Sequence, residues 1–228
     1  MDRKENIVRI RENIEQAAQR VGRDPNDVKL LAVSKVFSVE DIKSVYDLGL
    51  RAFGESRAQE LRDKVPLLPQ DIEWHFIGPL QKNKIKYVVP NAQLIHAVDS
   101  IKLAIAIAEF GRSKGIIPQI LVEINSSGEK GKHGFLPGQA LEAVLEINVL
   151  KEIEIRGLMT MAPYTEDTNR IGKSFSMLYN LFMDLKGKIG RQNFNELSMG
   201  MSGDYEIAVK EGSTIVRVGT GIFGPRRR

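Results

Sequence analysis

The sequence has 228 residues, of which 42% are hydrophobic and 27% are charged, and its formal net charge is +4 at pH 7. These values are typical of a globular protein with a sizeable core. The absence of cysteine excludes disulfides and thiol chemistry and fits a reducing compartment, so the cytoplasm is the expected location. No apolar run could span a bilayer, and no signal core opens the chain. The charge excess comes mostly from Arg226, Arg227 and Arg228, so neither a membrane nor a nucleic acid is expected as a partner.

Strand-like and helix-like segments alternate along the chain. Apolar residues three and four apart predict an amphipathic helix over residues 3 to 21. The first strand, residues 28 to 33, is uniformly apolar, which is typical of a strand buried on both faces in a parallel sheet. The other predicted strands cover residues 51–54, 73–77, 94–98, 120–124, 153–159, 196–198 and 214–218. The predicted helices between them cover residues 39–48, 55–65, 82–88, 101–113, 137–147 and 166–189, and one more begins at Ser202.

Eight strand–helix units in a chain of this length predict an α/β fold. The expected architecture is a single (β/α)8 barrel of the TIM type, preceded by an extra helix and formed by residues 1–228 as one domain. The alternative is an open, doubly wound parallel sheet. In both architectures, functional residues lie at the carboxyl ends of the strands.

Lys35 follows the first predicted strand and is the first candidate functional residue. A lysine that is partly removed from water loses some of its preference for the charged form, and a neutral amine is a nucleophile toward aldehydes. The alternative is a lysine that extends from the strand end into solvent.

Two glycine-rich stretches follow the seventh and eighth strands, where barrels of this kind commonly bind phosphate. They are residues 198–204 and 219–224. We expect Ser202 to be the N-cap of the next helix, so that its hydroxyl and the free amides of that turn could bind a phosphate. The alternative is a capping serine and ordinary turn glycines.

Arg217 lies on the eighth strand, and alternation places it on the same face as Ile215 and Gly219. If that face lines the barrel, the buried guanidinium requires an acceptor. Glu123 is one candidate partner, and a ligand atom is the other. Pyridoxal 5′-phosphate would suit all three places, with its aldehyde at Lys35, its phosphate at the two loops and its ring nitrogen at Arg217.

Several motifs resemble those of the pyridoxal-phosphate homeostasis proteins, whose fold is similar to the N-terminal barrel of alanine racemase. The motifs are AVSK at 32–35, FGE at 53–55, WHFIG at 74–78, LQKNK at 80–84, GLM at 157–159, SMGMS at 198–202, VRVG at 216–219 and IFG at 222–224. The resemblance implies that Lys35 forms a Schiff base with the cofactor and that Ser202, Gly219 and Thr220 contact its phosphate. It also places Arg217 at the ring nitrogen and Met201 in the cofactor site. Ser56 stands where the family usually has asparagine, which puts any cofactor contact from this position in doubt.

The resemblance also implies a carrier role in vitamin B6 homeostasis, without substantial catalysis. The alternative is a small racemase-like enzyme, and a cofactor-free Schiff-base aldolase is a third class, in which Arg217 would have no role. The family's racemase relatives use a tyrosine from an additional C-terminal domain; here the chain ends at Arg228, and Tyr164 is the only tyrosine placed near the active end.

The expected partners are the cofactor, amino acids and, in transient contact, PLP-dependent enzymes; a monomer is expected.

We interpret the three histidines and the basic segment 82–86 as structural or solvent-exposed features. His75 and His96 lie on strands and are expected in the core, with His75 the nearer to the cofactor, while His133 lies in a solvated loop. No histidine and carboxylate spacing suits a metal. The basic segment 82–86 is interpreted as a solvated helix face, with a protein or nucleic-acid partner as the lesser alternative.

Overall fold

In a computed structural model, which describes residues 2–129, 131–190 and 192–225, eight parallel strands close into a barrel in chain order. The strands are β1 (Lys29–Val33), β2 (Ala52–Glu55), β3 (Glu73–Phe76), β4 (Leu94–Val98), β5 (Gln119–Glu123), β6 (Glu154–Met159), β7 (Glu196–Met201) and β8 (Ile215–Val218). The barrel closes where β1 pairs with β8, with Ala32 opposite Val218. This closure confirms the predicted barrel and excludes the open sheet.

Helices surround the barrel near the predicted positions. They are α1 (Arg3–Gln19), α2 (Val39–Tyr46), α3 (Ala58–Lys64), α4 (Ile85–Val88), α5 (Ile101–Lys114), α6 (Pro137–Asn148), α7 (Thr168–Ile189), α8 (Tyr205–Lys210) and α9 (Thr220–Phe223). A 3-10 turn, Lys82–Lys84, precedes α4, and its lysines face solvent or lie at its edge, as expected for a solvated basic segment. Among the described residues, no helix has the length and apolar composition needed to cross a membrane. Arg226 to Arg228, which carry most of the charge excess, lie outside the described residues.

The extra helix α1 packs beside the last strand–helix unit. Its apolar stripe, which includes Ile7, Ile10 and Ile14, is buried. The amide of Asn6 donates a hydrogen bond to the carbonyl of Ile222 in α9, at 3.2 Å. The amide of Asn13 donates to the hydroxyl of Tyr205 in α8, at 2.9 Å. Because α8 and α9 follow β7 and β8, α1 stabilises the two loops at the carboxyl ends of these strands.

The barrel interior is mixed in polarity. Its apolar part is a separate buried cluster, made of Leu31, Ala52, Leu94, Ala97, Leu121, Met159 and Ile215. Polar side chains are also buried at the inward positions, among them His75, His96, Ser198 and Arg217. Each buried polar group needs a hydrogen-bond partner, because losing its water without one costs free energy. The interior is therefore a packed core with a polar network inside it.

Several sequence-based boundaries were wrong, among them the start of α3 and the end of β7. Residues 55–57 were assigned to a helix, whereas Glu55 is the last residue of β2, paired with Phe76, and α3 begins only at Ala58. The Glu55 carboxylate is fully buried and bonds to Ser34 and Lys64, which ties it to the sheet rather than to a helical turn. The seventh strand was predicted to end at residue 198 but continues to Met201, with Gly200 at a φ of +91°.

We expect Gly157→Ala to reduce the free energy of unfolding by about 3 kcal/mol or more. Gly157 lies in β6 with a φ of +153°, and a Cβ there would stand 1.7 Å from the backbone oxygen of Glu196 in β7. Gly187→Ala in α7 is the control, because that position is open; this change should stabilise the chain by about 0.5–1 kcal/mol. Denaturant unfolding measures both, and equal stabilities for the two variants would contradict the close β6–β7 contact.

Candidate functional site

Lys35 lies in a tight turn directly after β1. The turn runs from Ser34 to Phe37 and is closed by a hydrogen bond from the Phe37 N–H to the Ser34 carbonyl, at 3.1 Å. Its third residue, Val36, has a φ of +67°, the left-handed conformation that a type II turn requires at this place. A β-branched residue is strained there, and such strain is concentrated at functional sites. Lys35 itself is partly buried at the carboxyl end of the barrel.

A buried ionic cluster supports this turn from outside the barrel. The Lys64 ammonium donates to the Ser34 carbonyl at 3.2 Å, to the Glu55 carboxylate at 2.8 Å and to the Glu60 carboxylate at 2.9 Å. These three acceptors use all three of its N–H groups. Glu60 also accepts the N–H of Val36 at 2.9 Å, so the strained residue is held directly. Burial raises the pKa of Glu55, and the nearby Lys64 opposes part of that rise.

Ser202 does not cap α8, and this prediction was wrong. Because β7 runs to Met201 and a turn follows, Asp204 occupies the N-cap position, and it makes no side-chain cap. The Ser202 hydroxyl instead accepts hydrogen bonds from the N–H groups of Gly219, at 3.2 Å, and Gly221, at 3.4 Å. The two predicted phosphate loops are therefore joined to each other through Ser202.

The loop after β8 packs closely against β1. A Cβ at Gly219 would lie 3.4 Å from the Cβ of Val33, and one at Gly221 would lie 2.8 Å from a methyl carbon of Val218. The turn of Lys35 therefore begins next to the loop of Gly219 and Thr220. Thr220 is exposed, whereas Ser202 and Gly219 are partly exposed, so an anion can reach their hydroxyls and amides. Met201 is 40% exposed at the same end of the barrel.

Arg217 is buried inside the barrel, on the inward face that alternation predicted. Its two terminal nitrogens donate hydrogen bonds, one to the Ser198 hydroxyl at 2.6 Å and the other to the Thr160 carbonyl at 2.8 Å. Within the described residues, no carboxylate oxygen lies within 4.0 Å of the guanidinium, so Glu123 is not its salt-bridge partner. Burial lowers the pKa of Arg217 to about 10, although Asp204 and Glu123 oppose the change.

The two strand histidines belong to the same interior network. Nδ1 of His75 lies 2.8 Å from Nε2 of His96, and Nδ1 of His96 lies 3.0 Å from the Ser198 hydroxyl. Burial lowers the pKa of His75 to about 3 and that of His96 well below its ordinary value, so both rings are neutral near pH 7. The prediction that both histidines lie in the core is confirmed, and His96 is the ring linked to Arg217 through Ser198. That His75 is the nearer of the two to a cofactor stays a prediction.

Glu123, at the end of β5, is a buried carboxyl that sequence reasoning considered only as a partner for Arg217. It is 4% exposed, and Leu121, two residues earlier, belongs to the barrel interior. Burial raises its pKa to about 7, with Asp99 adding to the rise and His133 and Arg217 opposing it. His133 lies at the surface, where its Nδ1 is 3.0 Å from Asp99. In the part of the chain that the structure describes, no cluster of three or more His, Asp or Glu side chains could hold a metal.

Three kinds of binding group thus meet at one end of the barrel. They are the turn that carries Lys35, the hydroxyl and amides of the Ser202 and Gly219 loops, and the guanidinium of Arg217 in the barrel interior. An amine can attack a carbonyl carbon, amides at a loop can bind a phosphate, and a guanidinium can donate to a ring nitrogen. This set of donors fits a phosphorylated aromatic aldehyde.

The chain also resembles known proteins over nearly its whole length. The family model described as "Alanine racemase, N-terminal domain" matches residues 6–227. The chain belongs to this family of barrel proteins.

More particular relatives are found within the family. Over 224 residues, the chain is 39% identical to the "Pyridoxal phosphate homeostasis protein" of Aquifex aeolicus, covering 98% of each chain. The structure is similar to a protein of Bifidobacterium adolescentis described as unknown, with a TM-score of 0.92 and 36% identity over 96% of this chain and 94% of that one. It is also similar to PipY of Synechococcus elongatus with PLP bound, with a TM-score of 0.80 and 32% identity over 93% of this chain and 100% of that one.

We expect Glu123→Gln to increase stability at pH 8 and to have little effect at pH 4.5. A carboxyl whose pKa is raised to about 7 on folding destabilises the native state at any pH where it must ionise. That cost, up to about 3 kcal/mol, begins above pH 4.5 and is complete above pH 7, and glutamine removes it. Glu146→Gln on the exposed face of α6 is the control. Denaturant unfolding at both pH values measures the effect, and a pH-independent difference would contradict the shifted pKa.

Proposed function

We propose that this chain is a pyridoxal 5′-phosphate-binding protein that holds the cofactor through Lys35 and takes part in intracellular PLP homeostasis, without substantial catalysis of its own. The observation that carries the proposal is the contact of the Gly219 loop with Val33, which brings the phosphate-type loops beside the turn of Lys35. The names of the relatives and the PLP-bound PipY structure support the same assignment. In this proposal residues 1–228 form one PLP-binding barrel domain.

Each residue has a distinct task in this proposal. Lys35 forms the covalent Schiff-base link, while Ser202, Gly219 and Thr220 bind the phosphate and Met201 covers the site from the end of β7. Arg217 donates to the ring nitrogen. When bound, pyridoxal phosphate supplies an aldehyde carbon and an electron-withdrawing ring, and the ring withdraws less strongly when its nitrogen faces a guanidinium instead of a carboxylate.

The position of Arg217 supports a carrier rather than an enzyme. A cationic donor at the ring nitrogen keeps that nitrogen unprotonated, which makes the loss of a substrate proton harder. Tyr164, the tyrosine that the sequence placed near the active end, is fully exposed in the loop after β6. Its full exposure does not favour a role for that tyrosine as the opposite-face acid or base of a racemase.

Glu123 is the observation that favours the second candidate, a racemase-like activity. Its pKa of about 7 suits a group that accepts and returns protons near neutral pH. Glu123 also raises the pKa of Arg217, the residue that this proposal assigns to the ring nitrogen.

The proposed cellular role is cytoplasmic, with the protein acting as a monomer and with amino acids and PLP-dependent enzymes as transient partners.

Reduction with borohydride should attach the cofactor irreversibly to Lys35. The purified protein, loaded with PLP, should be yellow, and peptide mapping after reduction should find the pyridoxyl group on the peptide containing Lys35. Lys35→Ala should lose the label, whereas Lys132→Ala, which changes another lysine in a loop at the carboxyl end of the barrel, should retain it. A label on a different lysine in the parent protein would overturn the assignment.

Chiral analysis should distinguish the carrier from the racemase. After long incubation of L-alanine with stoichiometric PLP-loaded protein, we expect no significant formation of the D-enantiomer. Repeated turnover that disappears in both Lys35→Ala and Glu123→Gln would favour the enzyme and identify Glu123 as its second acid–base group.

A further inference from the structure

The interior hydrogen-bond chain has a direction that Arg217 determines. A guanidinium has only donors, so the Ser198 hydroxyl oxygen accepts its N–H at 2.6 Å. Among the described residues, the only other partner of that hydroxyl is Nδ1 of His96, at 3.0 Å, so its single hydrogen is satisfied only if it is donated there. A neutral His96 that accepts at Nδ1 carries its hydrogen on Nε2, which donates to Nδ1 of His75 at 2.8 Å. His75 must then also carry its hydrogen on Nε2.

The chain is almost completely buried, and the cations that act on its histidines, Lys29 and Arg217, both favour the neutral rings. Ser198 and His96 are fully buried, His75 is 2% exposed and Arg217 is 5% exposed. Burial keeps both imidazoles neutral, so neither ring can become a second cation beside Arg217. The direction of the chain therefore follows from the side chains present and does not depend on pH near neutrality.

We propose that Ser198, His96 and His75 are positioning residues that hold Arg217 as a cationic donor directed at the ring nitrogen of the bound cofactor. This inference rests on the proposed function, because it assigns the residues that orient one member of the proposed cofactor site. None of the three contacts the cofactor in this proposal; they act through Arg217.

Neutral acceptors can hold the guanidinium of Arg217 without neutralising its charge, whereas a carboxylate cannot. A carboxylate would pair with the guanidinium in bidentate fashion, neutralise its charge and occupy its donors. A hydroxyl oxygen and the Thr160 carbonyl each accept one N–H and leave the positive charge in place. The Ser198 hydroxyl donates to His96, and His96 donates to His75. Because such bonds polarise one another, the histidine pair makes the Ser198 oxygen a stronger acceptor for Arg217. Arg217 thus keeps further N–H groups and its full charge for the ligand.

The tautomers of the histidines test the chain directly. The protein has three histidines, so long-range 1H–15N spectra of the PLP-free protein give three ring patterns, and His133→Gln identifies the surface one. We expect His75 and His96 both to be neutral at pH 7 with the hydrogen on Nε2. In Ser198→Ala, the pattern of His96 should change, because its Nδ1 loses the donor. A hydrogen on Nδ1 of His96 in the parent protein, or a charged ring, would overturn the inference.

Cofactor retention tests the consequence for Arg217. Ser198→Ala should release PLP about tenfold faster than the parent and should alter the absorbance spectrum of the bound cofactor. Ser198→Thr should restore both properties, because it retains the hydroxyl. Ser213→Ala is the matched control: this serine is fully buried in the link between β7 and β8 and bonds only to backbone carbonyls, so its loss should leave the spectrum unchanged.

The possible outcomes separate this inference from the proposed function. If the parent protein binds no PLP, the proposed function fails, while the tautomer measurement still decides whether the chain exists. If the parent binds PLP and Ser198→Ala behaves as Ser213→Ala does, the positioning role is refuted and the proposed function stands. His96→Gln gives a second variant, and it should change the cofactor spectrum in the same direction as Ser198→Ala.

Discussion

The contact between β1 and β8 is the constraint on which the site depends. These strands are the first and the last of the barrel, and their parallel register places Ala32 opposite Val218. The residues that follow each strand are therefore neighbours, although Lys35 and Gly219 are far apart in the sequence. The Gly219 backbone lies against Val33, a separation that leaves little room for a larger side chain. Barrel closure thus brings the turn of Lys35 and the Gly219 loop together from opposite ends of the chain.

The polar groups near this contact bond mainly to other groups of the protein, so few of them need water as a hydrogen-bond partner. On one side, Lys64 satisfies its three donors with Ser34, Glu55 and Glu60 and so holds the strained turn around Val36. Breaking such a buried cluster by removing one partner would leave an uncompensated charge. The turn is consequently fixed by long-range ionic contacts and not by its own sequence, since valine disfavours the left-handed conformation.

Inside the barrel, the same requirement is met without a salt bridge. Arg217 is surrounded by a hydroxyl and a backbone carbonyl, and the nearest carboxyls influence it only at longer range. Among the described residues Glu123 makes no ion pair, and burial raises the pKa of its carboxyl to about 7. Both groups lie near the carboxyl end of the barrel, where a ligand that carries complementary donors and acceptors would complete their surroundings.

The sequence by itself determined the order of strands and helices, the inward face of Arg217 and the place of Lys35 shortly after β1, because periodicity and strand ends are local properties. It also identified the two glycine loops, since loops after the last two strands of a barrel have a known tendency to bind phosphate. Only the tertiary structure decided that Ser202 bonds to the Gly219 loop instead of capping α8, because that contact joins two loops through the register of β7 and β8. The link from His75 through His96 and Ser198 to Arg217 was likewise beyond the sequence, because it connects strands β3, β4, β7 and β8 across the barrel. Alternation assigns a residue to a face, but the distances between such residues are set by the closure of the whole sheet.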